Sequence, residues 1–435
     1  MKHTLLYVLT AATLFGLASC NREEENLFDQ SAADRLHAMQ QAVSEKLVGA
    51  SNGWELNYFP YPDDAGYAIL AQFKNDGTVK LAAKNPVSSK NLYKEETSMW
   101  DMDGTQGCVL TFHTYNTLLS IFADPLGDGV GYYGDYEFVV LPSSADTIRL
   151  KGKKHGAYIA LTRLNSSQDW KQYFAAIDEF NDETFTDNDG MVMSYWDGEK
   201  EIPVTYNSGI FTYNEEGEEQ DRGFIVTPQG LHFYSGLPLA GSSNLAQDFV
   251  LSDDKKVLKT QDGKAFISGT YTASDFFMYR FTNYSRWLYM ADGSDATTQA
   301  RVNALCQQAL SKGAEISNIA YERNTIVSGT GRKSYAYGLH ITYLVEGKQF
   351  GGSITLNQTV TSDAITFQYK SHDAALNPLF TRIDSNGGAA DQIMQIFGGT
   401  FTPESYTGSA LNMTQLKLNK ADGTSIHIKA EKIIL

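Results

Sequence analysis

Cysteine is scarce in this sequence, with three residues in a chain of 435. Three thiols cannot build the dense disulfide framework that stabilises small secreted domains, so the fold must depend on buried apolar surface. Cys108 lies in the strand-like segment GCVLTF and Cys306 in the helix-like segment RVNALCQQAL, each on a face that the apolar pattern predicts to be buried. A free cysteine behaves as a small hydrophobe in such a place, and we expect both to be unpaired.

Positive charge and long hydrophobic runs are scarce as well. The chain has 35 Lys and Arg against 51 Asp and Glu, which gives a formal net charge of −16. Nucleic acid phosphates require basic patches, so this balance excludes nucleic acid as a partner. After one apolar segment near the N-terminus, no other stretch approaches the roughly 20 residues that a membrane-spanning helix needs.

The sequence also lacks the local signatures of common catalytic and metal sites. Its eight histidines are scattered, with no H-E-x-x-H pair of a zinc protease, and no G-x-S-x-G marks a hydrolase serine. The segment GVGYYG has the spacing G-x-G-x-x-G, but it leads into the strand-like segment DYEFVV, so we interpret it as a glycine-rich turn. We therefore predict no catalytic residue, no metal ligand and no cofactor site. Paired carboxylates for glycoside cleavage stay open, because their closeness in space needs no local motif.

The N-terminal segment has the pattern of a lipoprotein signal. Lys2 precedes an apolar run at 5–17, which has the length of a signal-peptide hydrophobic region and is too short to span a bilayer. The run leads into LASC, which ends at Cys20 and resembles the bacterial lipobox, in which the cysteine is acylated. The alternative is a chance cysteine beside an ordinary cleavage site. We predict a signal peptide at 1–19 and an acylated Cys20 that anchors the protein to a lipid bilayer.

An acidic segment follows this cysteine. Residues 20–30 contain Glu23, Glu24 and Glu25, and this run resembles the surface-export signal of Bacteroidota lipoproteins. It can also serve as a solvated tether, because like charges repel one another and keep a segment extended. We predict an outer-membrane lipoprotein displayed on the cell exterior, with a periplasm-facing anchor as the alternative.

The remainder of the chain predicts a mainly β protein. Short apolar strands are separated by turn signals such as Asn75-Asp76-Gly77 and Asp422-Gly423. This pattern indicates antiparallel barrel or sandwich sections with three to four interspersed helices, an α+β fold overall. Apolar spacing places the helices at 31–47, 168–180, 297–312 and 389–397.

The first three of these helices divide the chain into sections. We predict a helix plus antiparallel β section at 31–165, a second helix plus β section at 166–295, and a third at 296–435. No repeat is regular enough in sequence to indicate a solenoid or a propeller.

Aromatic residues are abundant, with 25 Tyr, 23 Phe and 5 Trp. Most are expected to fill β cores, as we predict for Phe112 and Tyr136. Exposed aromatic rings, in contrast, can contact sugar rings or peptide side chains with one face and water with the polar tip. Trp54, Trp100 and Tyr115 lie near predicted strand ends, where a rim or pocket can form, and they are our candidates for ligand binding.

The first section of the chain resembles a known family. The resemblance lies in six segments, in this order: LFDQSAADRLHAMQQAVSEKLVGASNGWELNYFP, GYAILAQFKNDGTVKL, ETSMW, VLTFHTYNTLLSIFADP, GYYGDYEFVVL and DTIRLKGKKHGAYIALTRL. They span 27–164 and are similar to an uncharacterised lipoprotein family of Bacteroidota, domain of unknown function 4302. The resemblance implies a place beside SusC/SusD-type uptake systems. It implies no catalytic residues, because none is established for the family.

These observations favour a non-enzymatic surface lipoprotein. It would bind a nutrient, an oligosaccharide or a peptide, or serve as an accessory subunit of an outer-membrane transporter. A binding protein predicts an exposed aromatic cluster in a groove, whereas an accessory subunit predicts a broad apolar patch. One alternative is a hydrolase of surface polymers, which predicts a cleft of convergent carboxylates or histidines, one with a perturbed pKa. The other is a structural or adhesive protein, which predicts neither feature.

Overall fold

The computed structural model describes residues 31–104, 107–144, 146–185, 191–282, 285–327, 333–406 and 410–432. Over these residues the chain forms three closed barrels in succession, each of eight antiparallel strands. Strands make up 46% and helices 21% of the structure, so the predicted mainly β, α+β fold is confirmed. The described residues contain six α-helices, which is more than the three to four predicted.

The first barrel takes its strands from 54–163. They follow one another around the barrel in chain order, except that β6 and β7 leave it and form a separate two-stranded sheet, here called the flap. The strands of this part are β1 (Trp54–Phe59), β2 (Tyr67–Phe73), β3 (Thr78–Ala83), β4 (Lys94–Asp103), β5 (Val109–Phe112), β6 (Pro125–Gly127), β7 (Val130–Gly131), β8 (Glu137–Leu141), β9 (Thr147–Gly152) and β10 (Tyr158–Arg163).

The second and third barrels contain the other strands, again in chain order around each barrel. The second barrel consists of β11 (Met191–Trp196), β12 (Glu201–Asn207), β13 (Ile210–Glu215), β14 (Glu218–Thr227), β15 (Gly230–Pro238), β16 (Leu245–Leu251), β17 (Val257–Lys259) and β18 (Phe266–Gly269). The third consists of β19 (Ser285–Met290), β20 (Ala314–Val327), β21 (Lys333–Val345), β22 (Lys348–Val360), β23 (Ile365–His372), β24 (Gly399–Ser405), β25 (Gln415–Asn419) and β26 (Ser425–Lys432).

The helices precede the barrels or pack beside them. They are α1 (Ala32–Val48), α2 (Trp170–Thr184), α3 (Ala273–Thr282), α4 (Ala296–Ser311), α5 (Asn377–Ile383) and α6 (Ala389–Phe397). All four predicted helices are confirmed to within a few residues. Ser31 caps the N-terminus of α1, because its Oγ accepts a hydrogen bond of 3.1 Å from the backbone N–H of Asp34. None of the described helices combines the length and the apolar composition that crossing a membrane requires.

The sequence pattern does not reveal α3 and α5. Both are short, with ten and seven residues, and short helices obtain most of their stability from tertiary packing. Phe276 and Phe277 of α3 are fully buried in the core of the third barrel, and Leu379 and Ile383 of α5 pack in the same core. Their helical state is therefore set by contacts that are distant in sequence.

Each barrel closes because its first strand pairs with its last. β1 pairs with β10, β11 with β18 and β19 with β26, all antiparallel. Side chains alternate between the inside and the outside of a barrel, and an eight-stranded barrel is narrow enough for them to fill it. In the first barrel the largest inward side chains are Trp54, Tyr58, Phe73 and Phe138, all buried. Because the interiors are filled, a ligand site is expected on the outer walls of the barrels or on their loops.

α2 connects the first two barrels. The side chains that it packs on the outer wall of the first barrel are Trp170, Tyr173, Phe174 and Ile177. They contact Leu70 of β2 and Ala82 of β3, whereas Phe180, nearer the end of α2, belongs to the core of the second barrel. One helix thus contributes to the packing of both barrels.

The section boundary predicted at 295/296 needs correction. β19 lies before it, yet β19 pairs with β20 and β26 of the third barrel. α3 packs in the same core, so the third barrel with its helix begins after β18, and α4 is inserted between the first two strands. The start of α4 is visible in the sequence as a helix signal, whereas the long-range pairing of β19 is not.

Predictions for single side chains have mixed outcomes. Cys108 is buried, Cys306 is partly buried, and both are free thiols as expected. Phe112 is buried in the first barrel as predicted, but Tyr136 is exposed. Tyr136 precedes β8 in a loop, so the alternation of a strand does not direct it inward.

The first barrel contacts the second through the connection 60–66. The backbone N–H of Gly66 donates to the carbonyl of Phe224 on β14 at 3.1 Å. At the neighbouring Gly223, an added Cβ would stand 1.8 Å from the carbonyl oxygen of Asp64. The two backbones approach so closely that only glycine fits at this position.

We expect Gly223→Ala to weaken this contact. The added methyl group forces the two backbones apart, and overpacking of this kind costs about 1–3 kcal/mol of unfolding free energy. Urea denaturation of the variant and the wild type measures the loss. Gly127→Ala is the matched control, because nothing lies within 4 Å of its added Cβ. Equal stability of Gly223→Ala and Gly127→Ala would contradict the close backbone contact between Gly223 and Asp64.

Candidate functional site

The predicted lipid-attachment and export residues lie outside the described residues. Cys20, Glu23, Glu24 and Glu25 all precede Ser31, where the description of the chain begins. Their roles therefore stay predictions.

Two of the three aromatic ligand candidates are core residues. Trp54 is 0% exposed, and its indole N–H donates to the carbonyl of Leu47 at 2.8 Å. Trp100 is 7% exposed, and its indole N–H donates to the carbonyl of Lys74 at 3.3 Å. Both side chains point into the first barrel, because they occupy inward positions of β1 and β4. Neither offers an open aromatic face, and the prediction is corrected for both.

Tyr115, the third candidate, lies on the surface. Its side chain is 54% exposed, and its hydroxyl donates a hydrogen bond to the carboxylate of Asp124. It belongs to the connection 113–136, which joins β5 to β8 and carries the flap. Tyr115 is therefore the one aromatic candidate of the three that the structure leaves exposed.

One end of the first barrel concentrates exposed apolar side chains. Neighbouring strands run in opposite directions, so alternate connections lie at the same end. The connections at this end, here called the distal loops, are 60–66, 84–93, 113–136 and 153–157. The exposed large apolar side chains that they carry are Tyr61, Leu92, Tyr115, Leu126, Val130, Tyr133 and Tyr136.

α1 lies at the other end of the first barrel. Gln40 of α1 donates from Nε2 to the carbonyl of Met102, near the end of β4, at 3.2 Å. The carbonyl of Leu47 in α1 accepts from Trp54, the first residue of β1. The distal loops therefore face away from the helix that follows the N-terminal segment.

Tyr133 lies at the centre of the surface that the distal loops form, here called the distal surface. Its ring centroid lies 5.8 Å from that of Tyr61 and 5.9 Å from that of His155. Its φ is 55°, in the left-handed region that non-glycine residues seldom adopt, and its hydroxyl donates to the carbonyl of Gly129 at 2.6 Å. Such a conformation persists only where the surroundings enforce it, and it is found preferentially at functional sites.

A small cavity adjoins this ring. Its volume is about 190 Å³, and the polar and aromatic side chains that line it include Asp124, Tyr133, Lys154 and His155. A carboxylate, an ammonium group and an imidazole thus lie beside an exposed ring. This combination suits a ligand that offers both an apolar face and hydrogen-bonding groups.

Asp135 fixes the loop that carries His155. Its buried carboxylate accepts backbone hydrogen bonds from Lys154 at 3.0 Å, His155 at 3.1 Å and Ala157 at 3.2 Å. Gly152 permits this approach, since an added Cβ would stand 1.9 Å from Asp135 Oδ2. The distal surface is therefore held in place by buried polar contacts before any ligand binds.

A second cavity lies between the first and second barrels. It measures about 180 Å³ and is lined by Glu55, His232 and Asp248, among others. His232 Nδ1 lies 2.7 Å from Asp248 Oδ1. Burial raises the pKa of Glu55, and it outweighs the opposite effects of the Tyr173 hydroxyl and of His232. In the described residues, no group of three His, Cys, Asp or Glu side chains is placed to hold a metal ion.

Comparison with known proteins identifies a family. The profile of the family described as Domain of unknown function (DUF4302) matches 24–252, which is more than half of the chain. The match includes the whole first barrel and the second barrel through β16. It extends well past 164, where the resemblance visible in the sequence ends. No curated protein matches the chain.

Among solved structures, one compared chain comes from a crystal structure of the Helicobacter pylori β clamp bound to a DNA ligase peptide. Identity is 8%, the alignment covers 91% of this chain and 98% of that chain, and the TM-score is 0.13. Nothing about the present protein follows from a comparison with a TM-score this low.

The raised pKa of Glu55 predicts a pH-dependent stability. Above pH 4.5, its ordinary pKa, the unfolded chain releases this proton while the folded chain retains it. The folded state then loses up to about 1.4 kcal/mol per pH unit until the buried carboxyl also ionises. Glu55→Gln removes this loss, so its advantage over the wild type should grow from acidic to neutral pH.

Urea denaturation across that pH range measures the effect. Glu218→Gln serves as the control, because Glu218 is exposed on a hairpin of the second barrel. A stability difference between Glu55→Gln and the wild type that stays constant with pH would contradict the buried position of the Glu55 carboxyl.

Proposed function

Because this chain belongs to the DUF4302 family and its N-terminal segment predicts lipid attachment, we propose that it is a non-enzymatic binding protein of the outer membrane. It is anchored through acylated Cys20, faces the cell exterior, and binds an oligosaccharide or peptide as a component of a SusC/SusD-type uptake system.

The distal surface of the first barrel carries this proposal. Its loops bring Tyr61, Tyr133 and His155 together beside a cavity of about 190 Å³, with Tyr115 exposed nearby. An exposed aromatic cluster beside a cavity is what the binding hypothesis expects. Loops on a rigid barrel are also where binding residues are most often found.

The position of α1 supports an outward-facing role for this surface. α1 follows the predicted anchor and tether in the sequence, and it lies at the opposite end of the barrel from the distal loops. An anchor on the side of α1 leaves the aromatic cluster directed away from the membrane, where a nutrient or a transporter can reach it.

A hydrolase is the second candidate, and one observation favours it. Glu55, with its raised pKa, shares a cavity with the hydrogen-bonded pair of His232 and Asp248. A buried carboxyl with a raised pKa, beside a histidine that a carboxylate orients, is a common acid–base arrangement. Asp248 is largely exposed, however, which makes its hold on His232 weaker than in a buried pair.

We expect the double variant Tyr61→Ala/Tyr133→Ala to weaken ligand binding about tenfold or more, which corresponds to about 1.4 kcal/mol. A glycan and peptide panel on the detergent-solubilised chain, read by thermal shift and calorimetry, first identifies the ligand. Tyr369→Ala is the control, since Tyr369 is a comparably exposed tyrosine of the third barrel.

Product analysis on the same samples separates the two candidates. Binding without turnover, lost in the double variant, supports the binding protein. Turnover that Glu55→Gln abolishes would establish the hydrolase and overturn our proposal. Failure to bind any glycan or peptide would contradict nutrient binding and favour a role inside a protein complex.

We expect Cys20→Ala to release the protein from membranes. Without acyl chains the chain loses the buried methylene groups that hold it in the bilayer, each contributing about 0.8 kcal/mol. Cell fractionation with immunoblotting measures the change. Cys306→Ala, which alters a thiol of the third barrel, should stay in the membrane fraction. Continued membrane association of Cys20→Ala would contradict lipid attachment at this residue.

A further inference from the structure

Two clefts lie between α2 and the outer wall of the first barrel. The first has a volume of about 390 Å³ and includes Trp170 and Lys171 of α2, together with Tyr93 and Glu95 from the barrel. The second has a volume of about 470 Å³ and includes Ile177, Asp178 and Asn181 of α2, together with the first residues of β2 and of the distal loop 84–93. The second barrel forms its third side, through residues of β12, of the turn after it and of β14.

The two clefts follow each other along both of their walls, with no lining residue in common. On α2, the pairs Trp170/Ile177 and Lys171/Asp178 are seven residues apart, which places them on one face, roughly 10 Å apart along the axis. On the opposite wall, Asn91 lines the second cleft and Tyr93, two residues later, lines the first. We call the combined feature the α2 groove.

The charges of the groove cancel within each cleft. The first contains Lys80, Lys171, Glu95 and Asp169, and Lys80 Nζ lies 3.5 Å from Glu95 Oε2. The second contains one cation and one anion, Lys84 and Asp178, which form an ion pair. A site whose lysines are already neutralised offers little attraction to an anionic ligand.

Amide side chains supply most of the other polar groups. The first cleft is lined by Asn52, Gln72 and Gln168, and the second by Asn85, Asn91 and Asn181. In the first cleft the side-chain N–H groups of all three amides donate to backbone carbonyls, so these amides offer mainly their oxygens as acceptors for the hydroxyl groups of a sugar. Aromatic rings contribute to both clefts, Tyr93 and Trp170 in the first, Tyr67 and Tyr206 in the second.

One amide of the second cleft has an unused donor. Asn85 is 6% exposed, and its Oδ1 accepts hydrogen bonds from Val87, Ser88 and the Ser88 hydroxyl. Its Nδ2 is buried and has no hydrogen-bond partner among the described residues. A buried donor of this kind costs stability until an acceptor reaches it, and a ligand hydroxyl in the cleft is such an acceptor.

The barrel wall beside the groove is poorly suited to binding a peptide as an added β-strand. Peptides often bind by adding a strand to a free sheet edge. Every strand of the first barrel has a paired neighbour on both sides, so its wall offers no full-length free edge to an added strand. Recognition in the α2 groove must therefore come from side chains.

We propose that the α2 groove is a binding site for a neutral oligosaccharide that occupies both clefts. The proposal names the ligand class for the proposed binding function and rests on that function, but it places the ligand on the wall of the first barrel in addition to the distal surface.

Calorimetry with neutral, linear oligosaccharides of two to eight sugar units tests the proposal on the detergent-solubilised chain. We expect affinity to rise about 100-fold once the ligand is long enough to enter both clefts, because the second contact is then intramolecular. Gln168→Ala in the first cleft and Asn181→Ala in the second should each weaken the long ligand about tenfold.

The controls distinguish this site from the distal surface. Gln307→Ala, at an exposed amide on α4, should leave affinity unchanged. Each groove variant should also reduce the length-dependent step from about 100-fold to about tenfold, since one of the two clefts then binds the ligand more weakly. Short ligands that enter one cleft should respond to one of the two variants alone.

Three outcomes would contradict the proposal that the α2 groove binds a neutral oligosaccharide. Binding that is lost in Tyr61→Ala/Tyr133→Ala but unaffected by both groove variants would leave the proposed function standing and remove the groove from it. Tighter binding of uronate-containing than of neutral oligosaccharides would contradict the neutral ligand class. Binding of peptides but of no oligosaccharide would contradict an oligosaccharide site in the α2 groove, and it would still agree with the proposed function of nutrient binding.

Discussion

Pairing of the first strand with the last in each sheet is the constraint on which the rest of this structure depends. β1 with β10, β11 with β18 and β19 with β26 turn open sheets into barrels in which every strand has a paired neighbour on both sides. Buried side chains fill the interior of each of these eight-stranded barrels. Recognition is thereby confined to the outside of the barrels, to the distal loops and to the walls against which helices pack.

α2 packs against both the first and the second barrel and so joins them. Trp170 and Phe174 cover the outer wall of the first barrel, while Phe180 enters the core of the second. The helix cannot cover a curved wall completely, and the space left at its margins forms the two clefts. The candidate groove is therefore a geometric result of packing a straight helix on a twisted sheet.

Local signals in the sequence predict the local parts of this fold. Ser31 and Asp34 mark the start of α1, and Gly77 adopts the positive φ that its hairpin turn requires. The burial of Trp54 and Trp100 depends on which strand face points inward, and β19 finds its partners more than twenty residues away. The distal site escapes prediction for the same reason: Tyr61, Tyr133 and His155 lie in three different loops, and only strand order brings them together. The exposure of Tyr115 could be predicted from the sequence, because Tyr115 follows the end of a strand within one long loop.

The order of strands has a consequence for how the chain acquires its structure. Every barrel uses one uninterrupted stretch, so the first can close with residues 54–163 alone. No strand of it waits for a partner encoded hundreds of residues later. A chain that emerges gradually, from a ribosome or an export channel, can complete one barrel before the next is present. Such sequential closure keeps unpaired edges, the main route to aggregation in β proteins, short-lived at every stage.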